Sequence, residues 1–283
     1  MDSLYRGKKM SRYKFGVTQW GMPGEGHYSV RIAKEAGLDG MQIELGSYES
    51  GYGLAQKYVM EKYLEDSEEY GIEFPSLVTN DLGVNGFVEG PKSESGKIAY
   101  DTMSIGIETA AAMKITTIMI PNFFANWIAN ERHFDNTVEA LVFCCDLAAK
   151  YNIIIGSETG LSPEDHFRLL DLVNRPNIGI FFDTMNPRFF GKRDPFDTLK
   201  KEIARFVPQL HIKDGIDTLS GALLGEGEMD FFKQAEYIHN SNYSGWIILE
   251  NYYSHLPVRG SNCANQMELL RKDLAIAKKV FKT

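Results

Sequence analysis

Four ionisable residues each close a short apolar run: Glu158 in IIIGSE, Asp183 in IGIFFD, His211 in VPQLHI and Glu250 in WIILE. A carboxylate at the rim of an apolar strand must find a partner or a metal, because an unpaired buried charge is costly. Singly, each residue reads as a strand-end cap, a loop anchor or a satisfied structural histidine. On four consecutive runs they form a donor set, three carboxylates and one imidazole, for a single divalent cation. Such a set suits Mn²⁺ first, with Mg²⁺, Co²⁺ or Zn²⁺ as alternatives, and the absence of cysteine from it argues against a structural zinc site. Period-two alternation gives each carboxylate a direction. Glu158 shares a face with Gly156 and Ile154, Asp183 with Phe181, and Glu250 with Ile248 and Trp246.

Positioning these groups requires the runs to be strands of one sheet. Eight runs follow one another: KFGVTQW, MQIEL, IEFPSLV, ITTIMIP, NIIIGSE, IGIFFD, VPQLHI and GWIILE. Their near-continuous apolar character fits parallel strands covered on both faces. Helical segments intervene. SVRIAKEAG and LAQKYVMEKYLEDSEEYG end at Gly37 and Gly71 as C-caps. SPEDHFRLLDLV begins with Ser162 as N-cap and Pro163 at the first helical position. Eight βα units predict closure into a (β/α)8 TIM barrel, with catalytic groups at the carboxyl ends of the strands. An open doubly wound sheet would be favoured by a GxGxxG turn after the first strand, which is absent. The glycine-rich stretch from Asn80 to Ser95 predicts an extended loop at the barrel mouth.

Of 283 residues, 43% are hydrophobic and 24% charged, enough for one large core under a soluble surface. The expected organisation is an N-terminal tail over residues 1–12 and a single barrel domain over 13–283. The formal charge of −8 opposes nucleic-acid binding. No run approaches the length needed to span a bilayer, and the N-terminus lacks a signal-peptide apolar region, so a cytoplasmic protein is expected. Cys144, Cys145 and Cys263 form neither a disulfide framework nor a CxxC metal spacing and read as small buried hydrophobes.

The ordered motifs SETG, FFDTMN, HIKD followed by LLGEGEMDF, and ILEN resemble those of the xylose isomerase-like barrel superfamily of sugar isomerases, epimerases and inosose-type dehydratases, which shares its fold with endonuclease IV. The resemblance runs from about Tyr13 onward. It implies Glu158, Asp183, His211 and Glu250 as metal ligands, with Glu158 and Glu250 also the acid/base pair, and a dimer or tetramer acting on a small carbohydrate. The chemistry is coherent. Removing a proton beside a carbonyl creates an enediolate whose charge a divalent ion stabilises, and two carboxylates can exchange a proton between the faces of the substrate. Isomerisation or epimerisation of a sugar or sugar phosphate is therefore the leading expectation. Dehydration of a cyclic polyol ketone or dehydroshikimate-like acid is the alternative, should the second group protonate a leaving hydroxyl. Two positions depart from the ketose 3-epimerase pattern: Asn186 stands where those enzymes carry a His, and Asp217 where they carry an Arg. Asn186 can bond a sugar hydroxyl but cannot titrate. An abasic-site endonuclease would need a histidine-rich three-metal site that six histidines in this arrangement do not supply.

Further candidates for substrate contact are Asn186, Lys213, Glu44, Trp20, Phe124 and Trp127. Lys213 reads equally as the partner of Asp214 in a surface salt bridge. The aromatic residues, Phe123 among them, read equally as plain packing. Gly225–Glu228 (GEGE) reads as a turn and helix start. Arg188, Lys192, Arg193 and Arg259 are weak candidates for a phosphate site.

Overall fold

The computed structural model describes residues 12–258 and 265–281. Eight parallel strands pair in sequence order and close into a barrel. They are β1 (Tyr13–Thr18), β2 (Gly40–Glu44), β3 (Leu77–Val78), β4 (Thr117–Asn122), β5 (Ile154–Thr159), β6 (Ile178–Asp183), β7 (Phe206–Ile212) and β8 (Gly245–Leu249). β8 returns to β1 through a register running from Tyr13 opposite Gly245 to Val17 opposite Leu249.

All eight apolar runs contain a strand, but β3 is only two residues long. Pro75 has no amide hydrogen to give the ladder, so pairing before it shrinks to an isolated bridge between Gly40 and Glu73. The Pro75 carbonyl is taken instead by the Gln209 side chain from across the barrel, at 2.7 Å.

Helices α1 (Tyr28–Ala36), α2 (Lys57–Tyr70), α3 (Glu94–Ala112), α4 (Glu131–Ala149) and α5 (Pro163–Val173) follow the first five strands. Gly37 and Gly71 end α1 and α2 in the left-handed conformation. Ser162 caps α5 by accepting from the Asp165 amide, with Pro163 in the first turn. β6 is followed by two short helices, α6 (Asn186–Phe189) and α7 (Pro195–Glu202), because Asp194 and Pro195 start a second helix within the same connection. α8 (Phe231–Asn240) and α9 (Gln266–Val280) complete the outer ring. Among the described residues no helix is long and apolar enough to cross a membrane. Residues 1–11 of the expected tail, together with Arg259 and Cys263, lie outside the described residues. Arg12 binds the carbonyls of His239, Ser241 and Tyr243. Cys144 and Cys145 are buried on α4.

Apolar side chains form two bodies. The larger lies between sheet and helices, and a small one of Val78, Met119, Phe181, Val207 and Ile248 fills the barrel. Ile154 and Trp246 pack against the latter, so the inward parity expected for β5, β6 and β8 holds. Gly156 belongs to that interior because Phe181 fills its space: a Cβ there would stand 2.9 Å from the Phe181 ring.

The mouth is tied to the last helix by one buried carboxylate. Asp273 of α9 accepts from Asn251 Nδ2 (2.7 Å), the Tyr253 hydroxyl (2.9 Å) and the Leu224 amide (2.9 Å). This joins the loops after β7 and β8, next to His211 and Glu250. Replacing Asp273 with Ala leaves three buried donors without an acceptor. The expected loss is about 3 kcal/mol or more of unfolding free energy, read by urea denaturation.

Candidate active site

Strand ends bring the four expected residues together. Asp183 and His211 are register partners on β6 and β7. Glu158 is the penultimate residue of β5, and Glu250 follows the last residue of β8. One donor atom from each lies within 4.8 Å of all the others, and all four residues are buried. His211 Nδ1 stands 3.1 Å from Glu250 Oε2, 3.4 Å from Glu158 Oε1 and 3.8 Å from Asp183 Oδ2.

Each member is held by a neighbour that fixes its orientation. His211 Nε2 is 2.7 Å from Gln42 Oε1. The Gln42 amide nitrogen is committed to Ser76 Oγ at 2.9 Å, so the oxygen is what the imidazole meets and Nε2 carries the hydrogen. Asp183 Oδ1 accepts the amides of Met185 and Asn186, both at 2.7 Å. Glu158 Oε1 accepts from Asn186 Nδ2 at 3.0 Å, and Glu250 Oε1 from the Trp20 indole at 3.0 Å. His211 Nδ1 and Asp183 Oδ2 are left buried without a hydrogen bond of good geometry. They stand 3.8 Å apart within the quartet.

Lys213 completes the charge pattern. It does not pair with Asp214. Its ammonium is buried, 2.7 Å from Glu250 Oε2 and 3.1 Å from Asp183 Oδ2. Asp214 is instead satisfied by the amides of Gly215, Gly225 and Met229, and so folds the GEGE turn. Three carboxylates against one ammonium leave two negative charges in a water-poor site. A divalent cation with a neutral imidazole would cancel them, and His211 Nδ1 and Asp183 Oδ2 are among the atoms that could hold it.

Proton affinities reflect the crowding. Burial pushes the Asp183 carboxyl up to about 7, with Lys213 opposing and Glu250 and Glu158 adding to the rise. Burial alone would lower the His211 imidazole, but the Glu250 and Glu158 carboxylates outweigh it and carry it up to about 10. The same contest raises Lys213, through Asp183 and Glu250. Burial opposes ionisation of Glu250, yet His211 and Lys213 hold it well below the usual carboxylate range.

Beside the quartet opens a cavity of about 230 Å³ lined by Glu158, Glu250, Asn186 and Lys213 and walled by Trp20, Phe123, Phe124, Phe190 and Tyr252. Of the expected substrate contacts, Asn186, Lys213, Trp20 and Phe124 line it. Phe124 is 71% exposed at the rim and holds a left-handed backbone (φ 53°). Trp127 sits one layer back, against Gly160 and Phe190. Glu44 lies beyond the wall, bonded at 2.6 Å by Asn80, which does line the cavity. Arg188, Lys192 and Arg193 line a different cavity, where Asp194, Asp217 and Glu228 match their charge.

Gln42, Asn80, Phe190 and Tyr252 escaped the reading of the sequence. Only Gln42 carried a signal there: an uncharged polar residue inside the apolar run MQIEL.

A pH dependence follows from His211. Its folded-state pKa is raised, so the proton stabilises the metal-free protein fully below the ordinary value near 6.5 and ceases to do so as pH rises through about 10. A cation must displace that proton. The rise in melting temperature on adding Mn²⁺ is therefore expected to grow between pH 6 and pH 8.5, measured by differential scanning fluorimetry. Gln42→Leu, which frees Nε2, should weaken Mn²⁺ binding by about 10- to 100-fold.

Comparison with known proteins places this geometry. A 2-epi-5-epi-valiolone 7-phosphate 2-epimerase from Actinoplanes sp. is 26% identical over 216 residues, covering 76% of this chain and 78% of that protein. D-allulose 3-epimerase from Methylomonas sp. superposes with a TM-score of 0.75 at 18% identity, over 95% of this chain and 98% of that one. An IOLI protein solved with a zinc atom gives 0.74 at 16% identity, over 95% and 100%. The family profile described as xylose isomerase-like TIM barrel matches residues 30–280, and the chain belongs to that family.

Proposed function

We propose that the chain is a divalent-metal-dependent isomerase or epimerase of a sugar or sugar phosphate, with Glu158 and Glu250 as its two proton-transfer groups. The observation that carries this reading is the convergence of both glutamates, with Asp183, His211 and Lys213, on one buried point beside an aromatic-walled cavity. Glu158, Asp183, His211 and Glu250 would hold the ion, with Mn²⁺ the leading candidate. When bound, such an ion supplies positive charge beside the oxygens on which an enediolate's negative charge develops.

The chain's own groups do the rest. Glu250 is kept ionised by Lys213 and is aimed by the Trp20 indole, so it is ready to take a proton from carbon. Glu158, oriented by Asn186, faces the same space from β5 and, in its carboxylic-acid form, gives its proton to the opposite face, so that each turnover leaves Glu250 protonated and Glu158 ionised. Lys213, buried at the cavity floor, donates to a substrate oxygen. Trp20, Phe124 and Phe190 cover the C–H face of a sugar and keep bulk water from the reacting carbon. The Actinoplanes relative, by name a 2-epimerase acting on a 7-phosphate, supports inversion at carbon as the reaction type.

A panel of ketoses, ketose phosphates and inososes, incubated with Mn²⁺-loaded protein in D₂O and read by NMR, tests the reading. A sugar of unchanged formula carrying deuterium is the expected result, whereas a product lighter by water would identify a dehydratase. Glu158→Gln and Glu250→Gln should each lower exchange by about 10²- to 10⁴-fold. Full activity in either variant would defeat the two-base scheme.

A further inference from the structure

A second cavity of about 440 Å³ adjoins the catalytic one, and Trp20 lines both. Small-molecule sites commonly occupy roughly 300–1,000 Å³. The catalytic cavity alone falls below that range, whereas the two together fall within it.

The second chamber has a definite chemistry. Gln19, Glu25, Glu44, Ser254 and His255 contribute to its walls, and among the described residues no Lys or Arg does. Glu44 closes β2 with its carboxyl group in a largely buried setting, and burial raises its pKa. Asn80 donates to Oε1 at 2.6 Å, and among the described residues no cation accompanies that bond. Glu44 itself lines the chamber, which leaves its other oxygen, Oε2, as the acceptor available to an occupant. Gln19 holds the strand end still: its oxygen accepts the Glu44 amide at 3.1 Å and its nitrogen donates to the Tyr63 hydroxyl at 2.9 Å. On the far wall Ser254 Oγ and His255 Nδ1 pair at 2.9 Å, leaving the other ring nitrogen to an occupant. Two carboxylates with no Lys or Arg beside them repel a phosphoryl group, and walls this polar gain little from an apolar one.

We infer that this chamber is a second subsite, which takes an uncharged, hydroxyl-rich group (a further sugar ring) joined to the reacting sugar. Glu44 accepts hydroxyls of that ring, and Trp20 stands between the two rings. The inference rests on the sugar-isomerase reading of the metal site and adds a substrate class to it: glycosylated rather than terminally phosphorylated sugars.

Calorimetric titration of the Mn²⁺-loaded protein with isomaltulose (a glucosylated fructose), D-fructose and D-fructose 6-phosphate tests it. Isomaltulose is expected to bind about tenfold more tightly than D-fructose, the gain of one or two well-formed hydrogen bonds, and the phosphate most weakly. In Glu44→Ala, and independently in Ser254→Trp, which fills the chamber, the ratio of the isomaltulose and fructose dissociation constants should approach one. Tightest binding by the phosphate, no binding of isomaltulose, or an unchanged ratio in both variants would overturn the subsite. Deuterium uptake from D₂O in the same samples reports separately on the isomerase reading. Exchange without preference for the glucosylated sugar sinks the subsite alone, and preference without exchange sinks the reaction alone.

Discussion

Three carboxylates in one dry space at the carboxyl end of a barrel are an electrostatic liability that the rest of the site exists to manage. At the distances seen here, about 3 to 4 Å from the same imidazole nitrogen, mutual repulsion would protonate at least one of them unless positive charge is supplied. The rise of Asp183 toward 7 is that repulsion and the desolvation made visible. Lys213 supplies one unit of charge permanently, and a divalent ion would account for the remaining two. The lysine therefore bears on the charge of the whole site, through Asp183 and Glu250 together. It sets how much charge the site would demand from an ion, which would favour a divalent cation over a monovalent one.

The barrel makes such a cluster possible. Parallel strands end at one level, and alternation sends every second residue inward, so adjacent strands deliver side chains to a common point. Gln42 shows how far the interior takes part. It reaches across from β2 to fix the hydrogen on His211 Nε2, which turns Nδ1 toward the carboxylates. A ring free to choose its tautomer would present the wrong nitrogen part of the time.

Much of this was legible in the sequence. The eight runs became eight strands, the caps at Gly37, Gly71 and Ser162 stand where their residue types put them, and the quartet could be found because four ionisable residues interrupt apolar runs at equivalent places. What was not legible depends on tertiary contacts. Trp127 and Phe124 look alike as aromatic residues after a strand, and only packing against Gly160 and Phe190 puts Trp127 in the second row. Glu44 and Gln42 lie on one face of one strand, yet a difference of two residues in height sends one carboxyl over the wall and leaves the amide within the barrel. The doubling of the helix after β6 was foreshadowed by Asp194 and Pro195, a helix start in mid-connection. The brevity of β3 was written in Pro75.

Asn186 joins the site's charge to its selectivity. A titratable histidine at this point would add a proton donor and acceptor whose state changes with pH. Asn186 instead offers a fixed dipole: its nitrogen is spent on Glu158, and its oxygen is buried in the site with no partner. An acceptor so placed would be met by a hydroxyl or amine of a bound molecule. Substrates lacking that donor would leave it desolvated and unpaired, a penalty of about 1–3 kcal/mol against them. Discrimination at this position would thus come from a demand that no neighbouring side chain among the described residues meets. The same logic governs Glu44 in the neighbouring chamber, where an acceptor oxygen without a cation again selects for hydroxyl groups. Two acceptors on either side of Trp20 would suit a ligand rich in hydroxyls along its whole length.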